Sequence, residues 1–145
     1  MRILKNGLTF VLNIANIQKA GMPRTEVILF KEDDKSVPLV EWLASVPKKP
    51  QAKCVAALAR LEELGHELRR PEADYLRDDI HELRVRFQSM NYRMLYFFHG
   101  RAVAIVSHGC TKERAVPKRE IDAAAKRKEW FRRNPKKHSE RFAKG

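Results

Sequence analysis

Residues Leu83-Arg-Val-Arg-Phe-Gln88 alternate apolar and polar side chains. That period of two marks a strand with one buried and one polar face. Tyr92 to Phe98 follows as a second strand, apolar on both faces except at Arg93. His99-Gly100 makes a tight turn. Ala102 to Ser107, small and β-branched, is then a third and central strand. Upstream, Val27-Ile-Leu-Phe30 is a short apolar run bounded by charges, also a strand. Between these strands the period is helical. Ser36 can cap a helix carrying Val37, Leu39, Val40, Leu43 and Val46. Pro47 and Pro50 end it, and Pro50 sits near the start of a second helix that buries Val55, Leu58 and Leu61. Gly65 can close that helix. Pro117 opens a last helix through Phe131, with Ile121, Ala124 and Ala125 on one side, and Asn134-Pro135 stops it. The order strand, helical hairpin, three strands, helix predicts an α+β fold: a twisted antiparallel sheet of about four strands with an N-terminal helical hairpin and a C-terminal helix.

The chain has 145 residues, enough for one domain that buries roughly 70% of its unfolded surface. No run of about 18 apolar residues occurs, so no membrane span is expected. Two cysteines, Cys54 and Cys110, are too few for a disulfide scaffold or a cysteine zinc site and fit a reducing cytoplasm. The formal charge of +12 points to a polyanionic partner. Its distribution is uneven. Residues 1–21 carry +3 and residues 133–145 carry +4. Residues 26–82 sum to −4, whereas residues 83–119 sum to +7. A polyanion is therefore expected to dock on 83–119. Residues 1–21 read as an N-terminal extension, faintly like a signal peptide, with Met22 an alternative start of the domain. Residues 22–132 form the domain, and 133–145 read as a basic disordered tail.

Arg84 and Arg93 lie on strands expected to neighbour each other. A guanidinium is permanently charged and forked for bidentate phosphate contact, so two of them could clamp one phosphate. The plainer reading pairs an arginine with Glu82 or Asp79. His108-Gly-Cys-Thr-Lys112 follows the third strand as a loop. His108 could shuttle protons, Lys112 supplies a cation, and Gly109 permits an unusual turn. The plainer His108 caps the strand. Lys118 and Arg119 stand in the first turn of the last helix, where cations oppose the macrodipole, which suggests a use for them. Arg86 and Arg114 add positive charge for RNA. Tyr92 and Tyr96 share a face and could stack on bases, or simply fill the core. Phosphate-binding glycine loops, zinc-ligand spacings and nucleophile elbows are not found, and no cofactor is expected. Asp33-Asp34 and Asp78-Asp79 read as solvated turns. The helices over 36–64 are too acidic for a DNA-binding helix-turn-helix.

The series His81-Glu-Leu-Arg-Val-Arg86, Asn91-Tyr-Arg-Met-Leu-Tyr-Phe-Phe98 and Ser107-His-Gly-Cys-Thr-Lys112 is followed by Pro117 with Glu120-Ile121 and Ala124. With Leu68-Arg-Arg-Pro71, Leu76 and the strand at 27–30, it resembles the phage-derived, HigB-like branch of the RelE/ParE toxin superfamily over about residues 25–130. The resemblance implies a RelE-like fold and the toxin of a type II toxin–antitoxin pair. Such a toxin binds the ribosome and cleaves mRNA without metal, by attack of a ribose 2′-OH on the adjacent phosphate. Arg84 and Arg93 would hold the phosphate, Lys112 would neutralise charge, and His108 would be an acid or base. The implied partners are a helix-turn-helix antitoxin (HigA-like), the ribosome and mRNA. Two departures stand out: the family has an aromatic where Cys110 stands and a second lysine where Glu113 stands. They leave open a non-catalytic RNA-binding remnant. A ParE-like DNA gyrase inhibitor on the same fold is the other alternative. On this reading Arg93→Ala abolishes toxicity in a protein that stays folded.

Overall fold

A computed structural model of the chain describes residues 24–112 and 114–142. The expectations for residues 1–21 and for Glu113 lie outside them. The order is β1 (Glu26–Phe30), α1 (Pro38–Ser45), α2 (Lys48–Leu64), a 3-10 turn (Gly65–Glu67), β2 (Ala73–Arg77), β3 (Ile80–Phe87), β4 (Met90–His99), β5 (Val103–Lys112), α3 (Lys118–Arg133) and β6 (Ser139–Arg141). The strands form one six-stranded sheet in the order β2-β3-β4-β5-β1-β6.

The sheet has helices on both sides. Val27, Leu29, Leu83, Val85, Tyr92, Met94, Tyr96, Ala104 and Val106 face the α1–α2 hairpin. Their neighbours Ile28, Phe30, Leu95, Phe97 and Ile105 face α3 with Ile121, Ala124 and Phe131. Two covered faces explain why 27–30 and 94–97 read as continuous apolar runs, not alternating ones. The hairpin follows the sequence closely. Pro50 lies in the first turn of α2, and Gly65 ends it at φ 53°. A Cβ at Gly65 would sit 2.0 Å from the Thr25 hydroxyl, so glycine serves both the left-handed turn and the close approach. Ser36 does not cap α1. Val37 holds that position, and the Ser36 hydroxyl donates instead to Asp34 Oδ1 at 2.7 Å. Asp34 competes for the hydroxyl one turn early, and Pro38 presets the first helical φ.

The sheet departs from the expected four antiparallel strands in four places. β2 adds a fifth strand, antiparallel to β3. β1 pairs with β5 in parallel, because the whole α1–β4 segment intervenes and forms the crossover. β5 runs on through Lys112, so His108 to Lys112 are strand residues and not a loop. Finally, the segment expected as a disordered tail supplies β6, which pairs antiparallel with β1. The domain thus extends to Phe142. Two anchors hold this lysine-rich segment: Phe142 is buried among the hairpin-side residues, and His138 stacks on Phe30 at 4.7 Å. Burying two large rings is worth a few kcal/mol, enough to order a short charged stretch. Among the described residues no helix is long and apolar enough to cross a membrane.

Candidate functional site

Near the N-terminus of α3 the face beneath that helix changes character. The β3–β4–β5 register sets up rows across the sheet. Glu82, Leu95 and His108 form one row, Arg84, Arg93 and Cys110 the next, and Arg86, Asn91 and Lys112 the last. Leu83 and Val85 point to the hairpin, so Glu82, Arg84 and Arg86 alternate onto the other face. Two-residue pairing at Phe87–Met90, closed by Gln88 at φ 57°, fixes this register. Arg84 and Arg93 are therefore true cross-strand neighbours.

The two arginines differ sharply in surroundings. Arg93 is 9% exposed, and its Nη1 donates to Glu82 Oε1 at 2.7 Å. The plainer of its two sequence readings is what the geometry shows. Glu82 is 3% exposed, so the pair is desolvated together, and each member holds the other in place. Arg93 Nε is buried without a hydrogen-bond partner. Arg84 and Arg86 are exposed. With Lys53 they rim a hollow of about 260 Å³ at the sheet edge, where the nearby Arg60 is bidentate to Glu72 at 2.9 Å. Lys118 and Arg119 are exposed at the start of α3, and Arg114 is exposed in the connection before it. Lys112 stands opposite Asn91 in the register. Asn91, at the same end of the sheet, carries no charge or catalytic spacing that would have marked it in the sequence.

His108 is buried and tied to α3. Arg127 Nη1 donates to His108 Nδ1 at 3.1 Å, so Nε2 carries the proton and donates to Glu120 Oε1 at 2.9 Å. Ser107 Oγ lies 2.8 Å from Nδ1, and Arg127 Nη2 donates to Glu32 at 2.9 Å. Ser107 is the extra residue of a β-bulge, which re-aims this part of β5 toward α3. Burial lowers the His108 pKa below its usual value; the Glu120 hydrogen bond opposes this and the Arg127 charge adds to it. The neutral ring is the stable form, with both nitrogens engaged. Glu120 itself stands in the first turn of α3, where a carboxylate suits the helix dipole. In this arrangement His108 links β5 to α3 and has no nitrogen open to a substrate.

Two further expectations change. Tyr96 is 1% exposed and stacks on His81 at 5.2 Å, so it fills the core and does not meet bases. Tyr92 is likewise buried against Trp42. Gly109 does not make an unusual turn. It lies on the hairpin face of β5, and a Cβ there would come within 2.2 Å of the Trp42 ring. Its lack of a side chain lets α1 seat Trp42 on the sheet. Cys110 is buried beside Arg93 in the register, and Cys54 is buried in α2 with its thiol pKa pushed up to about 12 by desolvation. Buried thiols of this kind are inert. Among the described residues no three His, Cys, Asp or Glu side chains gather to hold a metal ion.

What the arrangement offers chemically is a cationic sheet end next to a helix start. Exposed guanidiniums stand in front of a buried, neutralised ion pair. Such a surface can bind phosphates and stabilise added negative charge. A family model described as phage derived protein Gp49-like (DUF891) matches residues 41–129, which span α1 to the last turns of α3 and hold all of these rows. No curated protein matches the chain.

Proposed function

Because the chain belongs to the phage-derived Gp49-like family, a family of RelE/HigB-type toxin-like proteins, we propose that it is the HigB-like toxin of a toxin–antitoxin pair and cleaves mRNA on the ribosome. The observation that carries the reading is the row register. It brings Arg84 and Arg86 to one sheet end beside Asn91, Arg93 and the start of α3.

In the proposed reaction the 2′-oxygen attacks the adjacent phosphorus and the bond to the 5′-oxygen breaks. The 2′-hydroxyl loses its proton and the leaving 5′-oxygen gains one. The phosphate passes through a state with extra negative charge. Arg84 and Arg86 are the forks that meet it, since they are exposed and planar. Lys112 adds charge from β5, across β4 from the two arginines. Lys118, Arg119 and Arg114 hold the flanking RNA. Arg93, turned onto Glu82, acts as a positioning residue behind Arg84. His108 holds α3 against β5, which leaves the proton transfers to groups of the ribosome–mRNA complex or to Lys112. The reading places the protein's work in the cytoplasm. A helix-turn-helix antitoxin is the partner that would mask this face.

A second reading is favoured by one contact. The Arg93–Glu82 pair removes a cation that the nuclease reading would aim at phosphate. An RNA-binding protein without cleavage needs only the exposed cations.

The test is induced expression with growth, protein synthesis and plasmid supercoiling measured together. Arrested synthesis with cut mRNA is expected, with supercoiling unchanged. Arg84→Ala/Arg86→Ala should abolish the arrest while shifting stability by only about 0.5 kcal/mol per site, as exposed substitutions do. Arrested growth with altered supercoiling and intact synthesis would move the protein to the gyrase-inhibitor reading. Binding without cut mRNA would favour the second reading. Arg93→Ala is no longer the informative variant, because it strands Glu82 in the core.

A further inference from the structure

The exposed face of α3 carries a stripe of which the toxin reading uses only the first residue, Arg119. Arg119, Lys126, Trp130 and Arg133 recur at intervals of seven, four and three residues, which puts them on one stripe of the helix. All four are exposed, and Trp130 is 45% exposed, one of two large hydrophobic residues in that state among the described residues. The stripe is basic along its length. Arg119 and Arg133 make only long surface contacts, with Glu120 at 3.7 Å and with Glu129 at 3.4 Å. Lys126 has Asp122 as its acidic neighbour, and that carboxylate is held by Arg77 at 2.7 Å. Trp130 then borders a hollow of about 550 Å³ lined also by Asp33, Asp34, Arg133, Asn134 and Lys137.

We propose that this stripe is a track for single-stranded RNA, with one base stacked on Trp130 and inserted into the hollow. The proposal rests on the reading above for its ligand class. Arg119 begins the track at the candidate site, and Trp130 lies about 16 Å further along the helix at 1.5 Å per residue. That is a span of a few nucleotides of extended strand. The cations meet phosphates while an exposed indole offers its face to a base, the combination by which single strands are held without sequence reading. The acids sort the two parts of the nucleotide. Asp33 and Asp34 repel the backbone from the hollow, whereas ionised carboxylates accept hydrogen bonds from base amines. Lys137, 3.2 Å from Asp33, tempers that wall without closing it. An acidic protein would satisfy the cations but would have no use for the indole and would meet Asp33 and Asp34 unfavourably.

The test uses the full chain, without ribosomes, and a fluorescently labelled single-stranded RNA of mixed sequence. Trp130→Ala should weaken binding roughly 10-fold, the size of one lost base–aromatic stack. Trp130→Phe should retain most of the affinity. Lys126→Ala/Arg133→Ala should lower the slope of log affinity against log salt by about 1.4, at about 0.7 per phosphate contact on a single strand. RNA should quench the tryptophan fluorescence of the wild type and not that of Trp130→Ala, whose thermal melt should match the wild type. Equal binding by Trp130→Ala and wild type, equal binding of duplex and single strand, or displacement of RNA by polyglutamate at equal charge would each overturn the track. The outcomes separate from those of the function test. Loss of translation arrest in Arg84→Ala/Arg86→Ala with unchanged Trp130→Ala binding sinks the track alone. Weakened Trp130→Ala binding in a protein that never arrests synthesis sinks the toxin reading alone.

Discussion

The α1–α2 hairpin meets its face of the sheet mainly through apolar side chains, from Val27 and Leu29 on β1 to Tyr96 on β4. α3 meets the opposite face through a smaller apolar cluster and then through His108, Glu120, Arg127 and Glu32. Apolar burial needs no partner of defined geometry, so the apolar packing of the first face does not itself titrate. Buried ionic and histidine contacts need every partner present. The candidate site sits at the end of this second face. The α3 side therefore holds most of the buried ionic and histidine contacts, whereas the hairpin side is mainly apolar and has His81, stacked on Tyr96, and the Glu62–Arg24 pair as its polar exceptions.

The largest expected break is at Glu82. Glu82→Ala leaves Arg93 charged, buried and unpaired, and should cost about 3–5 kcal/mol in urea unfolding. Glu82→Leu/Arg93→Met replaces both charges by apolar groups and should return the protein to within about 1 kcal/mol of wild type. A cost below about 1 kcal/mol for Glu82→Ala would mean that the pair is solvated and the contrast between faces is wrong. The hairpin face is probed by Gly109→Ala. The added methyl meets the Trp42 ring and should cost about 1–3 kcal/mol through overpacking. Trp42→Leu in the same chain should remove most of that penalty, and the double-mutant cycle measures it.

Acidity offers the finest comparison. His108 and His81 both have pKa values lowered by burial below the ordinary 6.5. The unfolded chain therefore takes up protons first as pH falls through 6.5. The stability these rings contribute is complete above that value and is lost as pH drops toward their folded values. The melting temperature should be lower at pH 5.5 than at pH 7.5, and the fall should be shallower in His108→Gln. A flat profile for the wild type would overturn the neutral, doubly engaged imidazole.

Much of this was legible in the residues. β3 announced itself through strict alternation, β4 as an apolar run broken by Arg93, and the helical hairpin through Pro50 and Gly65. The expected pairing of the two strands put Arg84 and Arg93 on neighbouring strands, and the observed register makes them direct partners. β2 hid because Ala73-Asp-Tyr-Leu-Arg77 is a short edge strand with no clean period. β5 was cut short because Ser107-His-Gly-Cys-Thr-Lys112 is too polar to look central. Its polar and small side chains are matched to Glu120 and Arg127 of α3, 12 and 19 residues downstream of His108, and to Trp42 on the other face. For the site, Glu82 was visible as a partner for Arg93, whereas the His108–Glu120–Arg127 links depend on where α3 lands. Trp130 passed as one more helix residue because a single exposed apolar side chain is common.

The position of β1 has a consequence for the life of the chain. Among the described residues it is the first strand, yet both of its neighbours, β5 and β6, come from the second half of the sequence. Phe142, directly after β6, is buried in the core. Contacts of such long sequence separation form late and slowly. A nascent chain must expose a bare apolar strand until β5 and β6 have emerged. A protein whose proposed target is the translating ribosome thus carries its own first described strand unpaired through much of its translation.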